Sequence, residues 1–274
     1  GFPFGNIAEA SKNYMQVYNS DNDFPRAIYS LVHSGQLLEM HQFADHFYKL
    51  LKENYRESFE FRYAVGFYEN NKRSYEDFPN IVLNFLDESG YVPQDLYLYL
   101  DFLDYALETG NYARVIPYFR KFDEGLFSDT LSVITAQNED QAWPLAYLLQ
   151  KTGDIKQSER ITEAFCEFTE RSKDSYLKGE EDYRYQGDLM ICSFLQRDQA
   201  AFEENLTILY KKHSEIVPVF TWLRNVNRYE PELYSENLKS LYKEVKQELS
   251  LQRANFISYL KSEGEWEEEW EEGN

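Results

Sequence analysis

Glycine and proline are scarce in this chain, 12 and 8 among 274 residues, about 7 % together against roughly 12 % in average usage. That shortage speaks against a turn-rich all-β protein and against a glycine-loop nucleotide fold, and it leaves helices as the default. Cysteine is scarcer still: Cys166 and Cys192 make neither a disulfide framework nor a zinc site, and at most form one bridge. Two buried thiols and a single bridge both fit, and a bridge would point to an oxidising compartment. Of the four histidines, His41 and His46 stand five apart, roughly 140° around a helix, so they cannot share a metal as an i,i+4 pair can.

Basic side chains are also in the minority, 28 Lys and Arg against 48 Asp and Glu, a net charge of −20. Such a surface repels phosphate backbones and excludes direct nucleic-acid binding by most of it. No run of 18 apolar residues occurs; the densest, Leu96-Tyr97-Leu98-Tyr99-Leu100, is cut by Asp101 and Asp104, so no membrane span is expected. There is no Gly-x-Ser-x-Gly, no phosphate-binding glycine loop and no Gly-x-Gly-x-x-Gly, and acid pairs such as Asp101 with Asp104 arise by chance in so acidic a chain. The expectation is a protein that is not an enzyme and carries no cofactor. The opening Gly1-Phe2-Pro3 reads as a processed chain or an excised domain.

What is abundant is apolar and aromatic: 43 % hydrophobic residues, with 23 Tyr and 20 Phe, enough for a substantial core. Apolar periodicity resolves into amphipathic helices with breaks near Gly35, Asn71, Gly110, Gly153 and Arg197, at intervals that point to a helix-pair repeat. Tyr99, Phe102, Leu103 and Ala106 share one helical face, Gly110 follows as a C-cap, and Val115 and Phe119 mark the returning helix. Pro117 should kink that helix or mark a late start. Val217-Pro218 to Glu230-Pro231 interrupts the rhythm, and a long helix then runs from Leu233 to about Leu260. The end, 263–274, holds seven Glu with Trp266 and Trp270; it reads as a solvated acidic tail, with an acidic-aromatic docking peptide as the alternative.

The apolar spacing around Gly110, kept at Gly153-Asp154-Ile155 and Gly35-Gln36-Leu37, resembles the tetratricopeptide repeat. The resemblance implies an all-α, TPR-like α-solenoid over residues 1–232, a capping helix over 233–262 and the acidic tail over 263–274. It also implies a concave groove lined by the first helices, here Arg26, Tyr29, Arg62, Tyr68, Tyr97, Asp101, Asp104, Trp143 and Tyr147. Acids and aromatics there suit a protein or peptide partner or a small cationic ligand. Thr221-Trp222-Leu223, the stretch Leu249 to Asn255 and Glu263-Gly264-Glu265-Trp266 look like the C-terminal repeat region of bacterial ToxR-like winged-helix transcriptional regulators. That implies a non-catalytic sensing domain, periplasmic in a membrane-anchored regulator; the alternative is a cytoplasmic adaptor that docks peptides for complex assembly. A homo-oligomer stays open. No winged helix is present, so DNA binding does not transfer to this chain.

Overall fold

The computed structural model describes residues 6–20, 24–90, 96–128, 133–178 and 182–270, except for the side chains of Leu96 and Tyr97. Among the described residues the chain is all-α, with no strand. It divides into two compact bodies, Gly1–Ser89 with Tyr242–Asn274, and Gly90–Leu241.

The first body contains α1 (Ile7–Ser20), α2 (Pro25–Leu37), α3 (His41–Asn54), α4 (Phe59–Lys72), a π-helical turn (Pro79–Leu83) and α5 (Asn84–Ser89). Pro25 opens α2, where its missing N–H would have no helical partner anyway. That helix is buried on a wide face, Ala27, Ile28, Leu31, Val32, Gly35 and Gln36 among others, because α1, α3 and α4 all pack against it. Gly35 therefore does not break the helix as the sequence suggested. A Cβ there would lie 2.9 Å from Ala44 Cβ and Phe43 Cδ1, so glycine lets α3 approach, and the chain reverses at Glu39, φ 55°.

The second body holds α6 (Leu96–Thr109), α7 (Tyr112–Phe122), α8 (Glu139–Thr152), α9 (Ile155–Lys178), α10 (Asp182–Leu195), α11 (Gln199–His213) and α12 (Ile216–Tyr229). Here α6 packs on α7, α8 on α9 and α10 on α11, while α8 also touches α6 and α10. Left-handed residues stand at the junctions: Gly110 at 71°, Gly153 at 87° and Arg197 at 58°. With Glu39 and Arg73, both at 55°, in the first body, the sequence's rhythm of breaks is a rhythm of left-handed caps. Pro117 lies inside α7 and not at its start. The Pro-bounded stretch after Val217 is no interruption either: it is α12, with Pro218 in the first turn, where proline is tolerated.

The long helix α13 (Glu236–Glu263) starts three residues after Leu233, which closes a 3-10 turn (Pro231–Leu233). Its buried positions, Leu238, Leu241, Val245, Leu249, Gln252, Phe256 and Leu260, recur every three or four residues, a single apolar stripe. From Tyr242 onward it belongs to the first body. There Gln252 Oε1 accepts from Ile7 N at 2.7 Å and Ala8 N at 3.4 Å, so a side chain far along the sequence satisfies the orphan N–H groups that open α1.

One open sequence reading is decided here and another changes. Cys166 and Cys192 are joined as a disulfide between α9 and α10, with Cα atoms 5.6 Å apart. The acidic end does not stay in solvent as far as Trp270: a 3-10 turn (Glu268–Trp270) brings that indole, 6 % exposed, to 5.0 Å from Phe43 and 5.6 Å from His46. Glutamates repel one another, but a buried indole outweighs that when it finds an aromatic bed. Residues 271–274 of the expected tail lie outside the described residues.

Two stability measurements follow. Gly110→Val should lower stability by roughly 1–2 kcal/mol in urea melts, because no atom crowds the site and the cost is that of a β-branched residue at positive φ; an unchanged midpoint would contradict the cap. Trp270→Ala should cost about 3 kcal/mol, whereas exposed Glu267→Ala should be neutral. Equal effects would mean that the indole is not part of the core.

Candidate functional site

Four helices of the second body bring side chains to one cleft. From α6 come Leu100, Leu103, Asp104 and Leu107, spaced i, i+3, i+4 and i+7; from α8 Trp143 and Tyr147, one turn apart; from α10 Phe194; and from α12 Thr221, Trp222, Asn225, Val226 and Tyr229. The α12 series repeats the same helical spacing, so one stripe of each helix faces the cleft. Its volume is about 90 Å³. Leu100, Thr221, Trp222, Asn225 and Tyr229 are partly exposed, whereas Leu103, Asp104, Trp143 and Tyr147 are buried, so the cleft opens along α12 and is closed at the back by α6 and α8.

The walls are aromatic. Trp143 and Trp222 have ring centroids 5.5 Å apart at an interplanar angle of 36°, and Phe194 meets Trp222 edge-on at 4.9 Å. Among the described lining residues, Asp104 is the one that carries charge. Asn225 Nδ2 lies 3.5 Å from Asp104 Oδ1, and Asn225 Oδ1 is buried with no hydrogen-bond partner. Burial pushes the Asp104 carboxyl up to about 6, against the pull of Arg224 and Arg228. Just behind the lining, Arg228 forms an ion pair with Glu108, and Tyr229 OH lies 3.5 Å from the same carboxylate. Asp104 and Glu108 are thus met by α12's own donors and cations.

A second carboxylate anchors the cleft from outside. Glu230, 1 % exposed at the end of α12, accepts from Tyr147 OH at 2.5 Å and Arg197 Nη1 at 3.1 Å and pairs with Lys151. Burial opposes its ionisation, yet hydrogen bonds with Glu232, Lys151, Tyr147 and Arg197 hold it down at about 2. The phenol of Tyr147 is pushed up, by burial and then by Glu230, so it serves the cleft as a fixed neutral donor and a ring.

Of the nine residues expected to line a groove, the structure brings Asp104, Trp143 and Tyr147 together. Asp101 is buried on α6 but does not line the cleft. Tyr97 belongs to α6, and its side chain lies outside the described ones. Arg26, Tyr29, Arg62 and Tyr68 belong to the first body. There Arg26 is exposed and Tyr29 is half-buried beside His33. Arg62 pairs with Glu57 and lies over the Phe85 ring at 3.9 Å. Tyr68 stacks on Tyr48 at 3.7 Å and donates to Asp45 at 2.7 Å. The last three of these are engaged in local contacts. The residues that sequence reading missed, Trp222, Asn225 and Tyr229, carried a legible i, i+3, i+7 signal that the flanking prolines obscured. No group of three or more His, Cys, Asp or Glu able to hold a metal occurs among the described residues, and no described helix is long and apolar enough to cross a membrane.

The two carboxyls titrate with opposite signs. Glu230, low in the folded state against an ordinary 4.5, adds stability that is present above about pH 4.5 and lost as pH falls toward 2. Asp104, raised from 3.8 to about 6, weighs against the folded state by an amount that is absent below 3.8, grows as pH rises from 3.8 and is complete above about 6. In urea melts at pH 7.5, Asp104→Asn should raise stability by roughly 1–2 kcal/mol and Glu230→Gln should lower it by about 3 kcal/mol. The gain should vanish near pH 4 and the deficit should shrink by pH 3; effects of equal sign would contradict this electrostatic account.

Compared with known proteins, the chain matches no family model, no curated protein and no solved structure.

Proposed function

We propose that this chain is a non-catalytic binding domain built on tetratricopeptide-like helix pairs, and that it takes its ligand in the cleft of α6, α8, α10 and α12. The observation that carries the reading is Asp104: a carboxyl held in an aromatic-walled, partly open cleft at a cost to stability, with no second acid among the described lining residues to serve as a catalytic partner. The left-handed residues Glu39, Arg73, Gly110, Gly153 and Arg197, five of the eight with positive φ among the described residues, stand 34, 37, 43 and 44 residues apart and support the helix-pair repeat. In the regulators that the C-terminal region resembles, such a domain is the sensing half. The net charge of −20 favours leaving any DNA contact to another part of such a protein, and the Cys166–Cys192 bridge favours a periplasmic setting. An adaptor that docks extended peptides is less well supported, because α12 lies on the helix faces that such a peptide would need.

Native mass spectrometry of the folded chain against a mixture of small carboxylates, sugars, nucleosides and amines tests the reading. One class should be retained, released chemically unchanged, and lost in Trp222→Ala, whose fold is checked by circular dichroism. Retention of no class, equal retention by the variant, or release of an altered compound would overturn it.

A further inference from the structure

Three helices of the second body meet at a further acidic junction, outside the cleft lining. Glu139, 3 % exposed, is the first residue of α8; it accepts from Tyr176 OH on α9 at 3.0 Å and from Arg184 Nη2 on α10 at 2.9 Å. Asp188 of α10 reaches the same phenol, and its Oδ2 is buried with no hydrogen-bond partner. Two carboxyls thus converge on one hydroxyl hydrogen. Glu139 and Asp140 from α8, Tyr176 from α9 and Arg184 from α10 act on Asp188, so that one cation among them stands against three acids. On the α11 side, Lys212 and His213 are turned to Asp182 instead. The same pair of helices carries the Cys166–Cys192 bridge. Asp188 and Cys192 are four residues apart on α10, one helical turn, and Tyr176, Arg184 and Asp188 lie between the two cysteines, toward the connection of α9 with α10.

We propose that this junction is a proton-operated clamp: a proton on Asp188 lets Glu139, Tyr176 and Arg184 hold α8, α9 and α10 together, and its loss loosens α9 from α10 on the connection side of the disulfide, which keeps the other side closed. The force that opens it is the repulsion of two carboxylates in a poorly solvated place, where like charges interact strongly. Burial, and then the charge of Glu139, push the Asp188 carboxyl from 3.8 up to about 7, against the pull of Arg184. The closed clamp holds its proton more tightly than an open one does, so it is strongest at low pH. Its opening constant rises as pH climbs from 3.8 and levels off above about 7. Glu139 opens α8, and Trp143 and Tyr147 follow it at one-turn intervals, so the clamp holds the start of the helix that closes the back of the cleft. It acts whatever the cleft binds.

Hydrogen exchange of the full chain with its bridge intact, read by mass spectrometry between pH 5 and 8.5 and corrected for intrinsic amide rates, is the test. The opening constant over 170–178 and 183–190 should rise about tenfold or more from pH 5 to 7 and then flatten, while 156–166 keeps its protection. Asp188→Asn, neutral at every pH, should abolish the rise, and His213→Gln should leave it intact. Replacing both cysteines by Ser should extend the rise to 156–166; a rise still confined to the connection side overturns the pinning by the bridge. In the unmodified chain, a carbon-13 NMR titration should place the Asp188 carboxyl above pH 6, which decides the matter even where a variant fails to fold. A profile flat with pH, a rise shared equally by every helix of the body, a rise that persists in Asp188→Asn or is lost in His213→Gln, or an Asp188 titration below pH 5 overturns the clamp.

Discussion

A single buried carboxylate fixes the geometry on which the cleft depends. Glu230 lies where α12 ends, and its partners come from two other places in the second body: Tyr147 and Lys151 on α8, and Arg197 at the junction of α10 and α11. A charge this deeply buried is tolerated only when it is paired and its oxygens are occupied. Here those conditions double as positioning, because satisfying Glu230 pulls α12 against α8 and brings Trp222 to Trp143. Arg197 reaches the carboxylate from a left-handed residue, φ 58°, so the reversal after α10 has a second use besides starting α11.

Asp104 is the opposite case in the same body. Its neighbours do not offset its burial, and the molecule carries that deficit within a cleft whose other charged neighbours are already engaged. Core optimisation alone would place an apolar residue at that point of α6, between Leu103 and Leu107, and the stripe would close on α12 without strain. Retaining a carboxyl there is the pattern expected where stability is exchanged for recognition. The contrast with Glu230 separates the two roles: one acid is clamped in its charged form by three named partners, while burial holds the carboxyl of the other above its ordinary range.

The sequence was legible wherever one local cause decides the structure. Gly110 and Gly153 were readable as left-handed caps because nothing else competes at those positions, and both have positive φ. Gly35 misled for a tertiary reason: the sequence shows a glycine, but only the approach of Phe43 and Ala44 shows that its missing Cβ serves packing. The glutamates after Glu263 spoke for solvent by charge count, and that count could not include the bed that Phe43 and His46 provide for Trp270. In each miss, a contact between residues far apart in the chain overrode a local preference.

The same logic explains why only part of the site was visible. Asp104, Trp143 and Tyr147 were found because they lie on first helices, which the repeat pattern orients without further information. Their opposing wall, α12, had been read as an interruption, since Pro218 and Pro231 bracket it and proline usually punctuates helices. Proline in a first turn costs a helix nothing, however, and between the two prolines Trp222, Asn225, Val226 and Tyr229 keep the i, i+3, i+4, i+7 register of a buried stripe. A face predicted to await an external cation is therefore already half-covered by the chain itself. Arg228 answers Glu108, and Asn225 answers Asp104 only in part. What α12 leaves uncovered is a narrow, aromatic-walled cleft in which Asn225 Oδ1 is buried without a hydrogen-bond partner.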